Sequence, residues 1–141
     1  MGNKKILIVD DDSDVRRGMH VRLKANHYDT FFAADALSSM AEARKHEPDL
    51  IILDLGLPAG DGFVVMERLK QIPSLAEIPV IVVSARDLRE NRQRAINAGA
   101  KAFLQKPVDD AEFLAVIRKA LGEPAERKEP EEPKVYDLGS L

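Results

Sequence analysis

Three short apolar runs rich in β-branched residues, Ile6 to Val9, Leu50 to Leu53 and Val80 to Val83, recur along this chain with helical periodicities between them. A strand that is apolar at every position has no face left for water, so it must be covered on both sides. The intervening segments supply the cover. Val15, Met19 and Leu23 give a first helix with Ser13 or Asp12 as its N-cap, and Leu37, Met40 and Ala41 give a second that ends near His46, Glu47 and Pro48. Phe63, Met66 and Leu69 mark a third before Pro73, and Leu88, Ala95 and Ile96 a fourth before Gly99. Phe113, Val116, Ile117, Ala120 and Leu121 share one face of a fifth, which Gly122 stops. Weaker strands about Tyr28 to Ala33 and Lys101 to Leu104 complete a strand–helix unit repeated five times. Buried strands alternating with helices require a parallel sheet with right-handed crossovers, which predicts an α/β three-layer sandwich around a five-stranded parallel sheet.

The chain has 141 residues, a length that suits one domain. Charge separates its two parts. Residues 1–122 balance eighteen acids with eighteen bases, whereas residues 123–141 hold six acids, three bases and Pro124, Pro130 and Pro133. The expected organisation is a domain over 1–122 and an acidic, proline-containing tail or linker over 123–141, with Val135 to Leu138 as a candidate docking motif. The absence of cysteine excludes disulfides, thiolate metal sites and cysteine nucleophiles together. A formal charge of −3 argues against a nucleic-acid-binding surface. No apolar run approaches the roughly 20 residues that cross a bilayer, and the N-terminus has no small-residue cleavage site. A cytoplasmic protein with no membrane contact is expected.

In sheets of this kind ligands bind beyond the carboxyl ends of the strands. Those ends carry Asp10, Asp11 and Asp12 after the first strand, Asp54 after the third, Ser84 after the fourth and Lys106 after the fifth. Two carboxylates about 4 Å apart repel by roughly 4 kcal/mol at an effective dielectric of 20, so a cation should offset them. Mg²⁺ suits such a site, since it takes one or two carboxylates and keeps room for water and phosphate oxygens; the acids do not follow a calcium loop. Lys106 is a second positive charge, and Ser84 can hydrogen-bond a phosphoryl oxygen. These parts suit phosphoryl transfer to an aspartate, with Asp54 as nucleophile. No nucleotide-phosphate loop is present, so the phosphoryl group should come from another molecule. Asp12 and Asp61 read as helix caps, the stretch from Arg86 to Arg94 as a solvated helix face, and His20, His27 and His46 as surface residues without partners.

Taken in this order, Val9-Asp10-Asp11, Leu53-Asp54-Leu55-Gly56-Leu57-Pro58 with Gly62, Val83-Ser84-Ala85 and Lys106-Pro107 resemble the receiver domains of two-component response regulators, of the chemotaxis-regulator type, over about residues 4–121. The resemblance implies the flavodoxin-like strand order 2-1-3-4-5. It also implies that Asp54 accepts a phosphoryl group from a sensor histidine kinase or phosphotransfer protein, and that Asp10, Asp11, Asp54 and the Gly56 carbonyl surround Mg²⁺. Ser84 and Phe103 fall at the family's switch positions, and the Lys106–Pro107 bond matches an element that is often cis. Such a protein is a signalling switch rather than an enzyme, with slow self-dephosphorylation. It changes a surface read by a downstream effector, and dimerisation on phosphorylation is expected.

Departures from the family pattern qualify this. Serine stands for the commoner threonine at 84, Phe103 has no hydroxyl, and Gly56 and Arg86 flank the way in to the phosphoryl group. A small Gly56 should admit water, whereas Arg86 would shield the phosphate or bind it. Two alternatives stand beside the switch. A Mg-dependent phosphohydrolase usually carries a second acid two residues after the nucleophile, where this chain has Gly56. A non-phosphorylated, receiver-like interaction scaffold would not need the full set of acids, hydroxyl and lysine.

Overall fold

Five strands and five helices alternate in a computed structural model that describes residues 2–58 and 62–124: β1 (Lys5–Val9), α1 (Ser13–Ala25), β2 (Asp29–Ala33), α2 (Ala36–His46), β3 (Leu50–Leu53), α3 (Gly62–Gln71), β4 (Val80–Ser84), α4 (Leu88–Asn97), β5 (Ala102–Gln105) and α5 (Asp110–Ala120). All neighbouring strands are parallel and lie in the order β2-β1-β3-β4-β5. Leu7 pairs with Phe31 on one side and Ile51 on the other, and Val82 with Leu53 and Phe103.

Alternation along these strands divides the core in two. Leu7, Val9, Ile51, Leu53, Val80, Val82 and Phe103 face α2, α3 and α4 through Met40, Met66 and Ala95. Ile6, Ile8, Leu50, Ile52, Ile81, Val83 and Leu104 face α1 and α5 through Met19, Leu23, Phe113 and Ile117. The runs Ile6 to Val9, Leu50 to Leu53 and Val80 to Val83 within β1, β3 and β4 are apolar at every position because each strand is sandwiched between helices.

Aspartates start the helices. Asp12 accepts from the amides of Asp14 and Val15 and caps α1, while Asp35, Asp87 and Asp109 cap α2, α4 and α5. α3 begins at Gly62 for a steric reason: a Cβ there would lie 2.6 Å from the Asp54 carbonyl oxygen and 2.9 Å from Leu55 Cα. Only a bare backbone lets the helix start this close to the end of β3.

Several expectations need correction. Leu37 is 78% exposed rather than part of the buried face of α2. Ala36, Met40 and Ala43 set that face, and Leu37 lies about 100° round the helix from Ala36. His20 and His46 have partners: His20 Nδ1 is 2.5 Å from Thr30 Oγ1 and its ring meets Phe32 edge-on, whereas His46 stacks on Phe31 and lies 3.1 Å from Glu42. Arg94 is exposed, as expected of a solvated helix face, and its guanidinium also sits over the Phe63 ring at 3.8 Å. Glu123, assigned to the tail, accepts a 2.6 Å hydrogen bond from the Tyr28 hydroxyl. Asp61 and Val135 to Leu138 lie outside the described residues. No helix among the described residues is long and apolar enough to cross a membrane.

Candidate functional site

Asp10 follows β1 and Asp54 follows β3. Because these strands are parallel neighbours, both carboxylates arrive at one rim of the sheet. The backbone fixes them there. The Asp54 amide donates to the Val9 carbonyl at 2.9 Å, and the Asp10 amide to the Ala33 carbonyl at 3.1 Å. Asp10 is 2% exposed and Asp54 9%, while Asp11 is open to solvent.

Lys106, just beyond β5, reaches between the two buried acids. Its Nζ donates to Asp10 Oδ2 at 2.7 Å and to Asp54 Oδ2 at 3.4 Å. The other oxygen of each acid accepts from an amide: Asp12 N–H donates to Asp10 Oδ1 at 2.9 Å, and Gly56 N–H to Asp54 Oδ1 at 3.1 Å. Burial pushes the Asp10 carboxyl above its ordinary value, outweighing the hydrogen bonds from Lys106 and the Asp12 amide that pull it down. Burial of Lys106 acts to lower its pKa, but the hydrogen bond and charge of Asp10, joined by those of Asp54, together hold the ammonium above the usual lysine value.

One carboxylate oxygen from each of Asp10, Asp11 and Asp54 lies within 4.8 Å of the others. Three hard oxygen donors with no sulfur or imidazole among them fit a magnesium-type cation better than a softer metal. Gly56 stands two residues beyond Asp54 at the same rim, and its surface is exposed.

Ser84 closes β4, between β3 and β5, and is 1% exposed. Its hydroxyl accepts from the Arg86 amide at 3.2 Å. It does not cap α4, since Asp87 does. Phe103 stands opposite Val82 in β5, with its ring buried in the core beneath α2, α3 and α4. The Lys106–Pro107 bond is cis.

Arg16 was not legible as a site residue from sequence alone. Its Nη1 donates to the Asp10 carbonyl at 2.6 Å. The available signal is geometric: with Asp12 as N-cap, Arg16 sits just over one turn into α1, and helix side chains lean back toward the N-terminus.

Comparison with known proteins agrees with this architecture. The family model for the response regulator receiver domain matches residues 6–118. Response regulator PleD of Caulobacter vibrioides is 38% identical over 114 residues, which cover 81% of this chain and 25% of PleD. The chain thus spans about a quarter of the length of that relative. The polar-differentiation response regulator DivK of Brucella anthropi is 32% identical over 120 residues, covering 85% of this chain and 98% of DivK. A CheY-like response regulator receiver domain protein from Methanospirillum hungatei superposes with a TM-score of 0.79 at 29% identity, covering 86% of this chain and 95% of that one.

Proposed function

Because this chain belongs to the response regulator receiver domain family, we propose that it is a phosphorylation-dependent signalling switch whose acceptor is Asp54. The observation that carries this reading is the convergence of Asp10, Asp11, Asp54 and Lys106 at one strand rim. An Asp54 carboxylate oxygen attacks the phosphorus of a phosphohistidine on a sensor kinase or phosphotransfer protein. The P–O bond forms as the P–N bond breaks, and the departing imidazole takes a proton. Asp10, Asp11 and Asp54, with the Gly56 carbonyl, are the residues that would hold Mg²⁺, which supplies neutralisation of charge on the phosphoryl oxygens. Lys106, already shared by Asp10 and Asp54, contributes the second positive charge.

The product carries about −1.5 to −2 charge and three acceptor oxygens where a carboxylate stood. The Ser84 hydroxyl can turn toward them, releasing the Arg86 amide it now accepts from. Ser84 pairs with Gln105 in the ladder that also holds Phe103, so the change passes into β5 and the surface of α4, β5 and α5. That surface is the one a downstream protein effector would read, with dimerisation as one form of output. Residues 1–122 act as the switch and 123–141 as a tail or linker, in a cytoplasmic protein. The chemistry is stoichiometric signalling with slow self-dephosphorylation rather than turnover of a substrate.

Beryllofluoride, a stable phosphoryl mimic, tests this when added with Mg²⁺ to ¹⁵N-labelled protein. The expected result is amide shifts at Ser84, Phe103 and α4 that vanish in Asp54→Asn. Shifts confined to the loops around Asp10 and Asp54 would show a cation site without a switch and contradict the proposal.

A further inference from the structure

We propose that Arg16 is the positioning residue that sets the Asp10–Asp11 carboxylate pair for capture of a divalent cation, an inference that rests on the phosphoryl-transfer reading of the site. Asp10 is held at four atoms. Three of the bonds come from the sheet, the turn and the residue just beyond β5: its amide donates to Ala33, its Oδ1 accepts from the Asp12 amide and its Oδ2 accepts from Lys106. The fourth comes from α1, where Arg16 Nη1 donates to the Asp10 carbonyl at 2.6 Å.

This last bond matters most for Asp11. The ladder of β1 ends at Val9, so the Asp10 carbonyl lies past the hydrogen-bonding pattern that would orient it. The carbonyl of Asp10 and the amide of Asp11 belong to one planar peptide unit, and fixing one end of the plane fixes the other. Asp11 itself is exposed and makes no hydrogen bond or ion pair with the described residues. Its place among three carboxylates within 4.8 Å of one another is therefore set by its two flanking peptides, the second held by the Asp12 amide on Asp10 Oδ1 and the first by Arg16. Groups that orient a metal's ligands without touching the metal change affinity by about 10–100-fold when removed. The guanidinium also adds a positive charge beside a cluster of acids.

Arg17 provides the control for that charge. It is exposed and next in sequence, and its side chain makes no hydrogen bond or ion pair with the described residues. Magnesium titrations followed by calorimetry, on the full chain and its variants, separate the two effects, and thermal unfolding in the absence of magnesium checks that each variant is folded. Arg16→Gln is expected to weaken magnesium binding about tenfold, with the Asp54 phosphorylation rate recovered at saturating magnesium. Arg17→Gln should change binding by no more than about twofold, and Arg16→Lys, which keeps charge and a single donor, should fall between them. Equal losses for Arg16→Gln and Arg17→Gln would reduce the effect to long-range charge and overturn the inference. So would unchanged binding in Arg16→Gln while the parent protein binds magnesium and is phosphorylated, a result that leaves the switch reading intact. If Arg16→Gln does not fold, Arg16→Lys decides alone: unchanged magnesium affinity at an unchanged melting temperature refutes the positioning role. A parent protein that binds no magnesium and takes no phosphoryl group refutes the switch and this inference together.

Discussion

Lys106 Nζ lies 2.7 Å from Asp10 Oδ2, so the end of the last strand is tied to the end of the first by an ion pair spanning 96 positions of sequence. The same ammonium reaches Asp54 at 3.4 Å. One cation thus serves two largely buried carboxylates, and its removal leaves them facing each other.

Lys106→Met is predicted to lower the unfolding free energy by about 2 kcal/mol, below the range for a fully buried pair because the lysine side chain keeps some contact with water. Adding Asp10→Asn should restore part of that loss, since one of the uncompensated charges is then gone. Urea denaturation of the two single variants and the double variant gives the coupling. Strictly additive losses would contradict the shared-cation arrangement.

The direction of the Asp10 shift fixes a pH dependence. Burial raises its folded-state pKa above the ordinary aspartate value, so the folded protein holds the proton more tightly than the unfolded chain does. That contribution to stability is present at low pH and is lost as pH rises through the raised value. Asn resembles the protonated acid. Without magnesium, Asp10→Asn should therefore melt higher than the parent protein at neutral pH, with the gap narrowing as pH falls. A gap that stays constant across pH would contradict it.

Gly62→Ala places a methyl group 2.6 Å from the Asp54 carbonyl oxygen, where backbone rather than a flexible side chain must yield. A cost of about 1–3 kcal/mol in stability is expected from such overpacking. The displaced atoms belong to Asp54 and Leu55, so phosphoryl uptake should slow as well. Denaturant unfolding and the rate of uptake from a small phosphodonor check both.

Gly56 presents the opposite case. Among the described residues, a Cβ there would meet only the Asp54 carboxylate oxygens, at 3.8 and 3.9 Å, which is ordinary contact. Gly56→Leu should therefore leave stability within about 0.5 kcal/mol of the parent. The new side chain would stand over the acceptor and hinder water, so loss of the phosphoryl group should slow. A time course of phosphoaspartate decay measures it.

The fold was legible because β1, β3 and β4 are sandwiched and so each carry a run of four apolar residues, and because the strand–helix alternation dictates a parallel sheet. The parallel order in turn places Asp10, Asp54 and Lys106 at one rim without further information. What escaped reading depends on rotation or on contacts between distant segments. Leu37 is apolar, yet the phase of α2 is set by Ala36, Met40 and Ala43, and it faces water. His20 and His46 find partners on the two faces of β2, which no local pattern encodes. Arg16 reaches a backbone atom, and a carbonyl carries no residue identity for a motif to register. Glu123 belongs to the tail by composition but joins Tyr28 across 95 positions.

The most direct measurement is the intact mass of the protein after incubation with Mg²⁺ and acetyl phosphate, with Asp54→Asn run in parallel. The switch predicts a gain of one phosphoryl group in the parent protein, dependent on magnesium and absent from the variant. No gain in the parent, or an equal gain in Asp54→Asn, would contradict it.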